Sequence, residues 1–158
     1  DGKKGFTVSL ADATKTSDED FAGIAQVLEL SNLEKGISFY VKDDYTGDTK
    51  GYHWMQLLLD REVIWEADVA GGDTQWRKVS LDLTRYLEQP KLKQVARNKY
   101  EQDKNYKITF RVFERRGVNR FGIQVWADNF TLLKKAPADP QNCAKKKVAP
   151  LPGELLVY

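Results

Sequence analysis

The sequence predicts an all-β protein: an antiparallel β-sandwich with a short helical insert and a Pro-rich C-terminal arm. Three observations predict it. Apolar residues recur with a period of two in segment after segment. Clusters of Gly, Asp and Asn separate those segments at hairpin spacing. Only residues 84–98 carry helical spacing, and Pro90 interrupts it.

Taken in order, the stretch from Phe6 to Leu10 alternates weakly and predicts a first strand. Ile24 to Leu30 and Ile37 to Val41 predict two more, before a polar loop carrying Asp43, Asp44, Gly47, Asp48 and Gly51. Trp54 to Leu59 and Val63 to Val69 predict a hairpin turning at Asp60-Arg61-Glu62. Alternation puts Met55, Leu57 and Leu59 on one face and Trp54, Gln56 and Leu58 on the other. In the partner strand it groups Val63, Trp65, Ala67 and Val69 against Glu62, Ile64, Glu66 and Asp68. A strand from Trp76 to Leu83 follows the Gly71-Gly72 loop. The spacing of Tyr86, Leu87, Leu92 and Val95 predicts one or two helical turns. Two long strands close the pattern, Tyr106 to Glu114 and Phe121 to Leu133. Seven to nine strands with little helix make a sandwich. The domain is expected over residues 1–134, with residues 135–158, which hold Pro137, Pro140, Pro150 and Pro152, as a linker or surface arm.

Composition bounds the function. The 158 residues are 41% hydrophobic and 11% aromatic, enough for one packed core. A net charge of +2, from 25 basic and 23 acidic residues, argues against a dedicated nucleic-acid binder. No apolar run approaches the roughly 20 residues of a membrane span. The single cysteine, Cys143, and the single histidine, His53, exclude an internal disulfide and a histidine-cluster metal site. The chain opens on Asp1, which suggests a processed or excised piece, for example one released from a signal peptide.

Three segments carry a resemblance. Ile37-Ser38-Phe39-Tyr40-Val41-Lys42-Asp43 resembles the strand that opens the core of jelly-roll carbohydrate-binding modules of the galactose-binding-domain-like superfamily. Trp76-Arg77-Lys78-Val79-Ser80-Leu81-Asp82-Leu83 is similar to their W-x-x-V-x-x-D-L strand. Val125-Trp126-Ala127-Asp128-Asn129-Phe130-Thr131-Leu132 resembles their last strand. The helical insert and the Pro-rich tail depart from the commonest members. The resemblance implies a jelly roll without catalytic activity, secreted or held at the cell surface, whether extracellular or periplasmic. It would hold a polysaccharide or oligosaccharide for a linked catalytic or other domain. The resemblance also implies a structural Ca2+, with Asp128 as one ligand and Asp12 and Asp20 as N-terminal partners.

Sugar binding needs flat aromatic faces against pyranose C–H groups and planar polar groups against hydroxyls. The strand faces turned away from the core offer Trp54 and Gln56, then Arg111, then Gln124 and Trp126. These five are expected on one sheet surface. A loop edge of Tyr52, His53, Asp73 and Arg120 is a second candidate. One conflict stands. Strict alternation puts Asp128, Phe130 and Leu132 beside Trp126, although Phe130 and Leu132 belong in a core. A bulge near Ala127-Asp128 would resolve it. Trp65 is expected in the core, while Trp76 is open to either reading.

No enzyme is expected, because His53 has no Ser or Cys nucleophile in a recognisable elbow. Glu66 and Asp68 share a strand face and could imitate a glycosidase pair. A solvated strand edge explains them more simply. The rival to carbohydrate binding is a structural or protein-interaction sandwich of a larger extracellular assembly.

Overall fold

The alternating segments pair into two stacked sheets. The computed structural model describes residues 6–10, 19–31, 33–47, 50–70, 74–115, 123–143, 146–147 and 154–157. The strands are β1 (Phe6–Leu10), β2 (Glu19–Glu29), β3 (Gly36–Asp43), β4 (His53–Leu59), β5 (Glu62–Asp68) and β6 (Arg77–Asp82). After α1 (Thr84–Leu87) come β7 (Leu92–Ala96), β8 (Lys99–Gln102), β9 (Asn105–Arg115), β10 (Ile123–Leu133), β11 (Lys146–Lys147) and β12 (Glu154–Val157). One sheet has four strands in the order β1-β10-β3-β6, and the other has six in the order β11-β5-β4-β9-β2-β12. All pairings are antiparallel except β12, which runs parallel to β2. Among the described residues no helix is long and apolar enough to cross a membrane.

The core lies between the sheets. Ile37, Phe39, Val41, Val79, Leu81, Val125 and Ala127 come from the four-stranded sheet. Met55, Leu57, Leu59, Ile64, Trp65, Phe110 and Val112 meet them from the other. Phe39 sits at the centre, edge-on to Trp65 at 5.3 Å and stacked on Phe130 at 4.9 Å with the planes 8° apart. Burying each such large side chain contributes about 1.5–3 kcal/mol.

Two bulges decide which side chains reach this core. In β10 the register slips between Asp128 and Thr131, and Asn129 adopts a left-handed φ of 56°. Asn tolerates that region better than most residues with a Cβ. The extra residue turns Phe130 and Leu132 inward, where both pack against the core. The bulge needed to reconcile Trp126 with Phe130 therefore exists, just beyond the Ala127-Asp128 pair. In the β4–β5 pair Leu57 faces Trp65 but Leu58 faces Val63, so Ile64 is the extra residue. Ile64 joins Trp65 inside, and Val63 moves to the side of Leu58, which reverses both alternation-based assignments.

The insert forms the short helical turn that was expected, followed by a ribbon that was not. Only one helical turn forms, α1, and it buries Leu87. Pro90 bars its continuation. Residues Leu92–Ala96 and Lys99–Gln102 form a hairpin instead, turned at Arg97-Asn98 with Asn98 at a φ of 57°. Every residue of this ribbon is exposed, including Leu92, Val95 and Tyr100.

Residues 134–143 lace the sheets together along one side. Gln141 N–H donates to Ser80 O at 2.9 Å, and Asn142 Oδ1 accepts from Asp82 N–H at 2.7 Å. Asn142 Nδ2 donates to Asp82 O at 2.9 Å, and Cys143 N–H donates to Ile64 O at 3.1 Å. The arm thus passes from the open edge of β6 to that of β5. Strand β11 then pairs with β5, and β12 covers the far edge at β2. Covered edges protect a sheet from pairing with another chain.

Candidate functional site

The topology separates the five residues expected on one surface. Trp54, Gln56 and Arg111 lie on β4 and β9 of the six-stranded sheet, whereas Gln124 and Trp126 lie on β10 of the four-stranded one. The single surface is therefore two surfaces on opposite sides of the sandwich. The error is one of sheet membership, which local alternation does not encode.

On the six-stranded sheet, Gln56 and Arg111 are register partners. Arg111 Nε donates to Gln56 Oε1 at 2.8 Å, and Gln56 Nε2 donates to Glu66 Oε1 at 2.8 Å. The guanidinium carbon lies 5.3 Å from the Phe21 ring and 6.0 Å from the Phe113 ring. Trp54 leans on Phe113 with centroids 5.6 Å apart. Gly23 faces Arg111, and a Cβ there would meet Arg111 Cβ at 2.6 Å. Arg111 is 1% exposed and Gln56 5%. This polar row runs across β5, β4 and β9, and its Gln56 and Arg111 are sealed from solvent. Beside them Trp54, Phe21, Glu66 and Asp68 are half-buried. The Glu66/Asp68 pair is also engaged. Asp68 accepts from Gly51 N–H at 2.7 Å and from Ala70 N–H at 2.9 Å, so its oxygens shape the flanking loops.

The loop-edge candidate changes in the same way. His53 begins β4 with the parity of Met55 and is fully buried, contrary to its expected place on an exposed edge. Its Nε2 lies 3.0 Å from Glu114 Oε2, its register partner on β9. Tyr52 is half-buried just before it. Arg120 and Asp73 lie outside the described residues.

The open surface is the outer face of the four-stranded sheet. Bulging of β10 after Asp128 leaves Gln124 and Trp126 pointing outward while Ile123, Val125 and Ala127 are buried. Trp126 faces Lys42 across β3. Trp76, just before β6, is 46% exposed and lies on the other side of Lys42. The Lys42 ammonium nitrogen is 4.9 Å from the Trp126 ring and 5.0 Å from the Trp76 ring. Tyr40 and Lys78 are register partners further along the same face. Cation–π contacts on both sides hold the lysine and fix the spacing of the two indoles. Lys42 and Tyr40 were legible as outward residues from the alternation of β3. Their meeting with Trp126 and Trp76 is a matter of register, which the sequence does not print.

Asp128 also lies on this face, half-buried, with Oδ1 accepting from Asn129 N–H at 2.7 Å. Asp20 faces Glu114 in the six-stranded sheet, and Asp12 lies outside the described residues. Calcium takes six to eight oxygens. No three Asp, Glu, His or Cys among the described residues converge to hold a metal ion. Of the three expected ligands, Asp128 and Asp20 lie on different sheets.

Comparison of the chain with protein-family models, with curated proteins and with solved structures gave no match. Fold and geometry define the chain only as an all-β sandwich with an aromatic, lysine-centred outer face.

Proposed function

We propose that this sandwich is a non-catalytic carbohydrate-binding domain whose ligand lies across the four-stranded sheet, on Trp76, Lys42 and Trp126. One observation carries this: two outward indoles held at fixed spacing by an ammonium group between them. Flat rings stack on the C–H faces of sugars, and Tyr40, Lys42 and Gln124 supply hydrogen-bonding groups beside them. Because the sheet sets their positions beforehand, little ordering is required when ligand arrives. A module of this kind, secreted alongside a linked catalytic domain, keeps that domain at high effective concentration on its polymer.

Affinity electrophoresis through gels containing a panel of polysaccharides tests the proposal. Retardation by at least one polymer is expected. Trp76→Ala should weaken it about tenfold or more, equivalent to about 1.4 kcal/mol, with thermal unfolding unchanged. Retardation by none of them favours the second reading, a protein-interaction sandwich. The exposed Leu92, Val95 and Tyr100 of the β7–β8 ribbon support that reading, because an isolated ribbon of this kind is at best marginally stable alone.

A further inference from the structure

Lys42 differs from an ordinary surface lysine. It is half-buried, its ammonium lies between two rings, and among the described residues no carboxylate lies within ion-pair distance of it. The same holds for the exposed Lys78 on this face. By contrast, Arg77 turns inward to Asp43 at 3.1 Å, and Lys91 and Lys134 pair with Asp60 and Glu34. Two carboxylates flank the patch. Asp44 accepts from Gln124 N–H at 3.0 Å and Asp128 from Asn129 N–H, so backbone hydrogen bonds hold both. Lys42 thus carries positive charge beside flat rings, with Asp44 just beyond the end of β3 and Asp128 in the next row, across Tyr40 from Lys78.

Resting on the carbohydrate-binding reading, we propose that the ligand is an acidic sugar chain, with one uronate carboxylate seated on Lys42 Nζ between Trp76 and Trp126. The carboxylate supplies the anion that the half-buried ammonium lacks, and its pyranose ring stacks on an indole. The contact is a charge-assisted hydrogen bond. It is shielded on two sides, so it should weaken with salt without vanishing.

The test is binding of polygalacturonate, alginate and hyaluronan, each against its carboxyl-reduced form, with sodium polyglutamate as the peptide control. At least one acidic polymer should bind, and its reduced form should bind about tenfold more weakly. Lys42→Gln should lose that difference at unchanged melting temperature, and Lys42→Arg should retain most of it. A reduced polymer that binds as well as its parent overturns the acidic ligand and leaves carbohydrate binding standing. So does a Lys42→Gln variant that binds the acidic polymer undiminished. If no polymer binds, acidic or neutral, both readings fall. Polyglutamate binding that matches the polysaccharide and depends on Lys42 assigns the face to acidic peptides and overturns the proposal.

Discussion

Trp126 and Lys42 are register partners across β10 and β3, with the ammonium 4.9 Å from the indole ring. That relationship depends on Asn129, whose left-handed backbone lets one strand send Trp126 outward and Phe130 inward.

Replacing Asn129 therefore tests the bulge. Asn129→Val places a β-branched residue at a φ of 56° and should cost about 1–2 kcal/mol. Asn129→Gly should cost far less. Urea unfolding of both variants checks this, and equal stability of the valine variant and the parent would refute it.

Arg111 is predicted to support the fold and not to bind ligand. Arg111→Ala removes the donor to Gln56 Oε1 and leaves space between Phe21 and Phe113. A loss of about 2–4 kcal/mol is expected. Gly23→Ala forces a Cβ to within 2.8 Å of Phe110 O and should cost about 1–3 kcal/mol. The folded fraction of either variant should keep the parent's affinity for polysaccharide. A stable Arg111→Ala domain with lost binding would move the site to the six-stranded sheet.

Glu34 gives stability a defined acid limit. It accepts from Lys134 Nζ at 2.7 Å and from Ser31 N–H and hydroxyl at 2.8 Å each, tying the β2–β3 connection to the end of β10. The Lys134 hydrogen bond, then those from Ser31, hold its carboxyl at about 2. The folded value lies below the unfolded one of about 4.3. The stabilisation is thus complete above that pH and is lost as pH falls toward 2. Glu34→Gln should lower stability by about 1 kcal/mol at pH 7, and the gap to the parent should close between about pH 4.5 and 2. A gap that is the same at pH 7 and pH 2.5 contradicts the assignment.

Much of the fold was legible because strand chemistry is local. The Asp60-Arg61 turn, the inward Trp65 and the need for a bulge beside Trp126 all follow from alternation and turn residues. What failed is non-local. Nothing in the spacing of Gln56, Arg111 and Trp126 states that β10 pairs with β1 and β3 while β9 pairs with β4 and β2. The buried His53 shows the same gap, since a polar loop precedes it but its β4 parity carries it inside against Glu114. The helical stripe read through Tyr86, Leu87, Leu92 and Val95 holds only as far as α1, and Leu92 and Val95 fall on the β7–β8 ribbon. Of these, Leu87 alone is buried.

The most direct measurement follows the four indole N–H resonances during titration with a polysaccharide that retards the protein. Trp76 and Trp126 should shift together and saturably, while Trp65, buried against Phe39, stays still. Shifts confined to Trp54, or none at the two indoles beside Lys42, would contradict a sugar-binding face on the four-stranded sheet.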